Sequence, residues 1–208
     1  MGQNIGFLGG TFNPIHYGHL LLAEAAREQF NLDLVLFIPN SVPPHRDSTG
    51  SELLEDAQRY VMTILATLSN PCFRVSRIEL DRKGPSYTYD TLVLLRQQNP
   101  ENQYYFIGGA DSLIQHSWFR FDDLLEALDG FLLTSRGKDT VENAREKVNK
   151  TTPRFSHKIK EIQMAPVSIS ATEIRDRLRK GRSIRYLVPE SVEQYIQKEK
   201  LYAEVYQR

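Results

Sequence analysis

The chain has 208 residues, 40% of them hydrophobic and 25% charged, proportions usual for a globular enzyme and enough for one sizeable α/β unit. Lysine plus arginine equals aspartate plus glutamate at 26 each, so the net charge is zero; this argues against a nucleic-acid binder with a broad basic surface but not against a local anion pocket. Cys72 is the only cysteine, which excludes an intrachain disulfide and a cysteine-based zinc site, and with no signal-peptide pattern and no apolar stretch of bilayer length the sequence predicts a reducing, cytoplasmic setting.

Residues 5–8 form a short apolar run ending in Gly9-Gly10, as a buried strand entering a turn would. From about Gly18, Leu20, Leu21, Leu22, Ala23, Ala25, Ala26 and Phe30 supply good helix formers with a broad apolar face. Residues 34–38 read as a second buried strand closed by Pro39-Asn40, 51–68 as helix, 73–80 as extended and 89–98 as helix. A strand over 103–107 ends in Gly108-Gly109 and another spans 131–134, while the polar stretch 137–156 reads as loop and helix with little part in chemistry. A last short strand is expected at 161–164, then helices over 170–180 and 189–203, with Gly181 ending the first. This alternation predicts an α/β, Rossmann-like, doubly wound and mainly parallel sheet with a small C-terminal helical portion. The expected organisation is one domain over 1–208, its core in 1–166 and its C-terminal helices in 167–208. In such sheets ligands sit beyond the carboxyl ends of the strands. Gly9-Gly10 and Gly108-Gly109 both fall at such ends, so two regions point to one crevice.

Successive glycines after a strand let the backbone turn sharply and bring N–H groups close to a phosphate, and Thr11 adds a hydroxyl there. A helix starting near Gly18 aims its unpaired N–H groups and positive dipole end at the same spot. His16 and His19, three residues apart, point to one side and can donate to phosphoryl oxygens as charge moves towards a leaving group. A lone histidine at a helix start is more often a surface or capping residue. Two in His-x-Gly-His directly after strand-Gly-Gly-Thr are much harder to attribute to chance. Metal ligation is a poorer alternative, since no third ligand lies nearby in sequence. Neither a Walker A lysine nor a Gly-x-Gly-x-x-Gly pattern is present.

A second segment, Ser168-Ile169-Ser170-Ala171-Thr172-Glu173-Ile174-Arg175, places Ser170 and Glu173 at capping-box spacing. A helix cap explains most of it. Beyond a cap's needs, Ser170, Thr172, Arg175 and the free N–H groups of the first turn collect donors suited to a polyphosphate, with Arg175 able to bond two oxygens. On this segment alone, cap and binding site stand about even.

In this order the two motifs resemble those of the nucleotidyltransferase superfamily marked by His-x-Gly-His early and Ile-Ser-x-Thr-x-x-Arg late. Class I aminoacyl-tRNA synthetases share the first element, but their Lys-Met-Ser-Lys-Ser-like loop is absent here. Within the superfamily the chain is similar to the bacterial nicotinate-nucleotide adenylyltransferases over nearly its whole length. The likeness extends to Ile38-Pro39-Asn40, Val42-Pro43-Pro44-His45-Arg46, Gly84-Pro85-Ser86-Tyr87-Thr88-Tyr89-Asp90-Thr91-Leu92, Phe106-Ile107-Gly108-Gly109-Ala110-Asp111-Ser112-Leu113 and Trp118.

The resemblance implies transfer of an adenylyl group from ATP to nicotinate mononucleotide, giving nicotinate adenine dinucleotide and pyrophosphate in NAD biosynthesis. ATP and the mononucleotide are then the partners, with no nucleic acid and no membrane; a homo-oligomer is compatible with it. His16, His19 and Arg175 would be catalytic, with His19 closest to the reacting centre. Gly9, Gly10, Thr11 and Phe12 would approach the phosphates, and Ser170, Thr172 and Arg175 would hold the departing pyrophosphate. Gly108 and Asp111 would lie against the sugars and Arg136 beside the adenine. Arg46, Tyr87, Thr88 and Trp118 would take the mononucleotide, its pyridine ring stacked on the Trp118 indole. Mg²⁺ would be held mainly by the ATP phosphates.

From the residues alone, the better reading is of Tyr87 and Trp118 as core aromatics and Thr88 as a helix cap. Three positions depart from the family pattern: Asn13 where aspartate is common, Arg46 where some members have lysine, and Gly108-Gly109 in place of a commoner Ile-Gly. Two rivals to the implied activity are a sister transferase acting on phosphopantetheine or another phosphate ester and a non-catalytic nucleotide-binding regulator. The Tyr87-Thr88 and Trp118 blocks argue against the first; the two histidines and Arg175 argue against the second.

Overall fold

The computed structural model describes residues 2–41, 53–115 and 117–202. Six strands, β1 (Asn4–Gly10), β2 (Leu34–Pro39), β3 (Phe73–Val75), β4 (Gln103–Gly109), β5 (Gly130–Thr134) and β6 (Ile159–Glu161), form one sheet in the order β3-β2-β1-β4-β5-β6. Every pairing is parallel. The near-continuous apolar runs of β1, β2, β4 and β5 follow from this, because a parallel sheet covered by crossover helices is buried on both faces.

Alternation along the strands sorts their side chains into two cores. Leu8, Val35, Phe37, Ile107 and Leu132 meet one layer of helices: α1 (Tyr17–Gln29), α2 (Asp56–Thr67), α7 (Ala171–Arg179) and α8 (Glu190–Lys198). Phe7, Ile38, Phe106, Phe131 and Leu133 meet the other, α3 (Thr88–Gln98), α4 (Ala110–Gln115), α5 (Phe121–Ala127) and α6 (Val141–Thr151). The chain runs outward through β2 and β3 and then returns to lay β4 against the other side of β1. The strand order therefore reverses between β1 and β4, and a crevice opens at the carboxyl ends of these two strands.

The doubly wound α/β architecture is as the sequence predicts, with local corrections. α2 starts at Asp56, and residues 53–55 before it are not helical; 51 and 52 lie outside the described residues. β3 stops at Val75, where an edge strand with one neighbour gives way to a turn closed by Asp81 N–H on Arg77 O (2.9 Å) and by their ion pair. β6 covers Ile159–Glu161 because it can pair only while it lies beside β5, whose register runs out at Leu133 and Thr134. The sequence reading missed α4 and α5: each is under three turns, too short to show a helical period, and Arg120 interrupts them in a left-handed conformation (φ 51°).

Candidate active site

The loop after β1 turns at Phe12 (φ 48°), and the Asn13–Pro14 peptide that follows is cis. This corrects the role expected of the glycines, since Gly9 and Gly10 remain extended within β1. What Gly9 provides is room: a Cβ built there would meet no heavy atom of the described residues within 4 Å. Phe12 itself is buried, its ring edge-on to His19 at 5.1 Å between centroids.

His16 is the N-cap of α1 and is buried; its Nδ1 has no hydrogen-bond partner among the described residues. Its ring stacks on that of His19 (centroids 3.7 Å, interplanar angle 24°), and His16 N–H donates to His19 Nδ1 at 3.2 Å. With Nδ1 accepting, a neutral His19 carries its proton on Nε2, which makes that nitrogen a donor. Burial, followed by the Arg136 charge, holds His16 down at a pKa of about 4. Burial first, then His16 and Arg136, keep His19 well below the usual histidine range. Both imidazoles are therefore neutral donors at pH 7 in the unliganded protein. Gly18 explains the spacing of the motif, because a Cβ there would lie 3.0 Å from the His16 ring and 3.5 Å from the Ile169 carbonyl oxygen. Lacking one, α1 approaches the segment leading into α7.

Across 162 residues, the second motif meets the first. Arg175 is buried and its Nη1 donates to Asn13 O at 2.8 Å, while Nη2 reaches Thr172 Oγ1 at 3.4 Å. Ser170 caps α7 by accepting from Glu173 N–H at 3.1 Å. The Glu173 side chain turns towards Arg177 instead, at 3.7 Å. Asn13 is a hub: its Oδ1 also accepts from Tyr202 O–H (2.8 Å) and Leu54 N–H (3.4 Å).

On the β4 side, the Asp111 carboxylate folds back over Gly109, where a Cβ would lie 2.1 Å from Oδ1, and approaches Arg136 at 3.9 Å. Gly108 likewise leaves room for the Phe106 ring, 2.6 Å from a built Cβ. A cavity of about 150 Å³ beside Arg136 is lined by Gly18, Thr134, Ile162, Met164 and Val167 among others.

Of the residues expected to take the mononucleotide, Tyr87 and Thr88 stand at the start of α3 and Trp118 follows α4. Tyr87 is the N-cap of α3, so Thr88 begins that helix and does not cap it. Tyr87 stacks on Phe119 (4.5 Å, 26°), a half-exposed ring the sequence reading overlooked. The Trp118 indole is half-buried and held by edge-on packing on Phe106 (5.2 Å) and Phe131 (5.6 Å), with Nε1 donating to Ser112 O at 3.0 Å. Arg46 lies outside the described residues.

Arg59 was also missed. It is fully buried and donates to the carbonyls of Leu54, Thr11 and Asn40 and to the Asp56 carboxylate. Its signal was present in the sequence: it shares the i, i+3, i+4, i+7 stripe with Met62, Thr63 and Ala66, a charge on the buried face of α2.

A parallel sheet with two stacked histidines at a helix start, joined through Asn13 to an arginine on a distant capped helix, defines a nucleotidyltransferase-type site. The cytidylyltransferase-like family model matches residues 7–177, which contain both motifs. The chain is 44% identical over 202 residues to a probable nicotinate-nucleotide adenylyltransferase of Thermoanaerobacter sp. (strain X514), covering 95% of this chain and 93% of that one. It is 45% identical to the Dictyoglomus thermophilum protein of the same name, covering 96% and 100%. The chain belongs to the nicotinate-nucleotide adenylyltransferase family. The fold also matches that of Plasmodium falciparum nicotinic acid mononucleotide adenylyltransferase complexed with NaAD, with a TM-score of 0.76 and 23% identity over 97% of this chain and 98% of that one.

Proposed function

We propose that the protein transfers the adenylyl group of ATP to nicotinate mononucleotide, producing nicotinate adenine dinucleotide and pyrophosphate for NAD biosynthesis. Family membership supports the pair of substrates. The convergence of His16, His19 and Arg175 around the turn at Phe12 and Asn13 supports the reaction.

A phosphate oxygen of the mononucleotide attacks the α-phosphorus of ATP, forming one P–O bond as the bond to the bridging oxygen of the leaving pyrophosphate breaks. The attacking phosphate is already ionised at neutral pH, so no general base is needed. The His19 Nε2–H donates to a phosphoryl oxygen as charge builds, and the backbone bond at Nδ1 keeps it aimed. Arg136 adds a fixed positive charge, while Arg175 and the first turn of α7 receive the β- and γ-phosphates. The cavity beside Arg136 takes the adenine. The pyridine ring lies against Trp118, whose packing holds the indole rigid.

Among the described residues, no three histidine, cysteine or acidic side chains gather to hold a metal. Mg²⁺, when bound, would be held mainly by the triphosphate and would offset charge on the departing oxygens. No helix among the described residues is long and apolar enough to cross a membrane.

The test is pyrophosphate release on incubation with ATP, Mg²⁺ and nicotinate mononucleotide, with nicotinamide mononucleotide and phosphopantetheine as competing acceptors. His19→Ala should fold and lose about a hundred- to a thousandfold in kcat. Near-normal turnover in that variant would remove His19 from the reacting centre. Equal kcat/KM for the acid and the amide would remove the acceptor preference and leave adenylyl transfer intact.

A further inference from the structure

We propose that Arg59, which does not face the crevice, is a positioning residue that sets the turn at Phe12 and through it the ring of His19; the proposal rests on the adenylyl-transfer reading. A guanidinium with no exposed surface is costly to bury unless its N–H groups are matched. Here Nε donates to Leu54 O (3.1 Å), Nη1 to Thr11 O (2.6 Å), and Nη2 to both Asn40 O (2.7 Å) and the Asp56 carboxylate. Three of these acceptors are backbone carbonyls from separate segments: the loop after β1, the end of β2 and the approach to α2. Asp56 is in turn fixed by Ser41 Oγ–H at 2.6 Å.

The bond to Thr11 matters most. A trans peptide is planar, with C=O and N–H opposed, so pulling Thr11 O towards Arg59 turns the Phe12 N–H the other way. The next residue, Phe12, has φ 48°, a left-handed conformation that a bulky side chain holds only where its surroundings enforce it. The enforced turn then sets the Phe12 ring edge-on against His19, whose Nδ1 takes the His16 N–H. A single rigid path thus runs from a buried charge to the donor nitrogen. Lysine at position 59 would keep the charge but lose the planar fork that reaches three carbonyls at once.

The test compares Arg59→Lys with Arg96→Lys. Arg96 makes a similar fork to Ala127 O and Asp129, but it lies at the amino ends of β4 and β5, away from the site. Each variant should lower the thermal midpoint. Only Arg59→Lys should lower kcat, by about ten- to a hundredfold, and by more than it raises KM for ATP, because small misplacements at a reacting centre are that costly. Imidazole ¹⁵N spectra should show His19 fixed with the proton on Nε2 in the wild type and in Arg96→Lys, and lose that signature in Arg59→Lys. A kcat within twofold of wild type, or equal losses in both variants, overturns the proposal.

If Arg59→Lys does not fold, Asp56→Asn loosens Arg59 from its half-exposed side. A threefold or greater fall in kcat then supports the proposal and an unchanged kcat overturns it. If the wild type releases no pyrophosphate at all, the activity reading fails on its own, and the ¹⁵N comparison alone decides the positioning role.

Discussion

Gly9 near the end of β1 and Gly18 in the first turn of α1 flank one short loop, yet each lacks a side chain for a different reason. At Gly18 a Cβ would press on the His16 ring, so the glycine is required for packing inside the folded chain. At Gly9 the same atom would meet nothing among the described residues, and the residue is extended, so neither a contact with these residues nor backbone strain explains it. In the proposed reaction this space is the room that the bound nucleotide takes. Gly9→Ala should therefore leave the thermal midpoint unchanged or slightly raised, since alanine costs the unfolded chain entropy. Its methyl group would crowd the bound nucleotide, at about 1–3 kcal/mol for an overpacked contact, and KM for ATP should rise roughly ten- to a hundredfold. Steady-state kinetics beside a melting curve read both quantities. An unchanged KM would mean that ATP does not approach this edge of β1.

At the scale of elements, the cap of α7 serves two readings, and one substitution separates them. Ser170 accepts from Glu173 N–H, so Ser170→Ala should cost about 1 kcal/mol of stability whichever reading holds. Aspartate caps as well as serine but brings a negative charge to the helix end. Ser170→Asp should thus keep the melting temperature and raise KM for ATP by about tenfold or more, as like charges meet there. Normal ATP kinetics in that variant would show that the triphosphate does not reach α7. The meeting of α7 with the β1 loop was legible in the sequence only as two donor-rich segments, because spacing within a segment is local while their contact through Asn13 and Arg175 is tertiary. The central strands β1, β2, β4 and β5 were legible because burial on both faces requires unbroken apolar runs, whereas the short edge strands β3 and β6 were misplaced. The turn at Phe12 was not, since left-handed backbone is usually signalled by glycine and two glycines stood nearby to mislead. Arg59 was visible as a charge on an apolar stripe, but its partners are backbone carbonyls that no sequence pattern marks.

For the molecule as a whole, the neutral histidine pair couples stability to pH in a direction that follows from its burial. His16 titrates near 4 and His19 well below its ordinary value of 6.5, so the unfolded chain binds protons between about pH 6.5 and 4 that the folded chain refuses. Stability rises with pH wherever the unfolded state holds more protons, so this contribution is intact above pH 7 and lost as pH falls through 6.5. At pH 5.5 His16 alone should have cost the unliganded protein about 1–2 kcal/mol, or roughly 2–8 °C in melting temperature for a chain of this size, and His19 shifts it in the same direction. Glu79 works the other way: burial raises its carboxyl pKa despite the Thr91 hydroxyl 2.7 Å away, so the folded state gains a proton on acidification and offsets part of the loss. Glu24, held low by Arg27, loses its contribution only further into acid, outside this window. Melting curves from pH 7.5 to 5.5 should therefore slope downward in the wild type and flatten in the His16→Asn/His19→Asn double variant. Inorganic tripolyphosphate should flatten the wild-type slope too, because a polyanion beside the rings lets them keep a proton in the folded state. A wild-type melting temperature that does not change across this range would mean that the two imidazoles are not held neutral by the fold, and the neutral-donor role of His19 would fall with it.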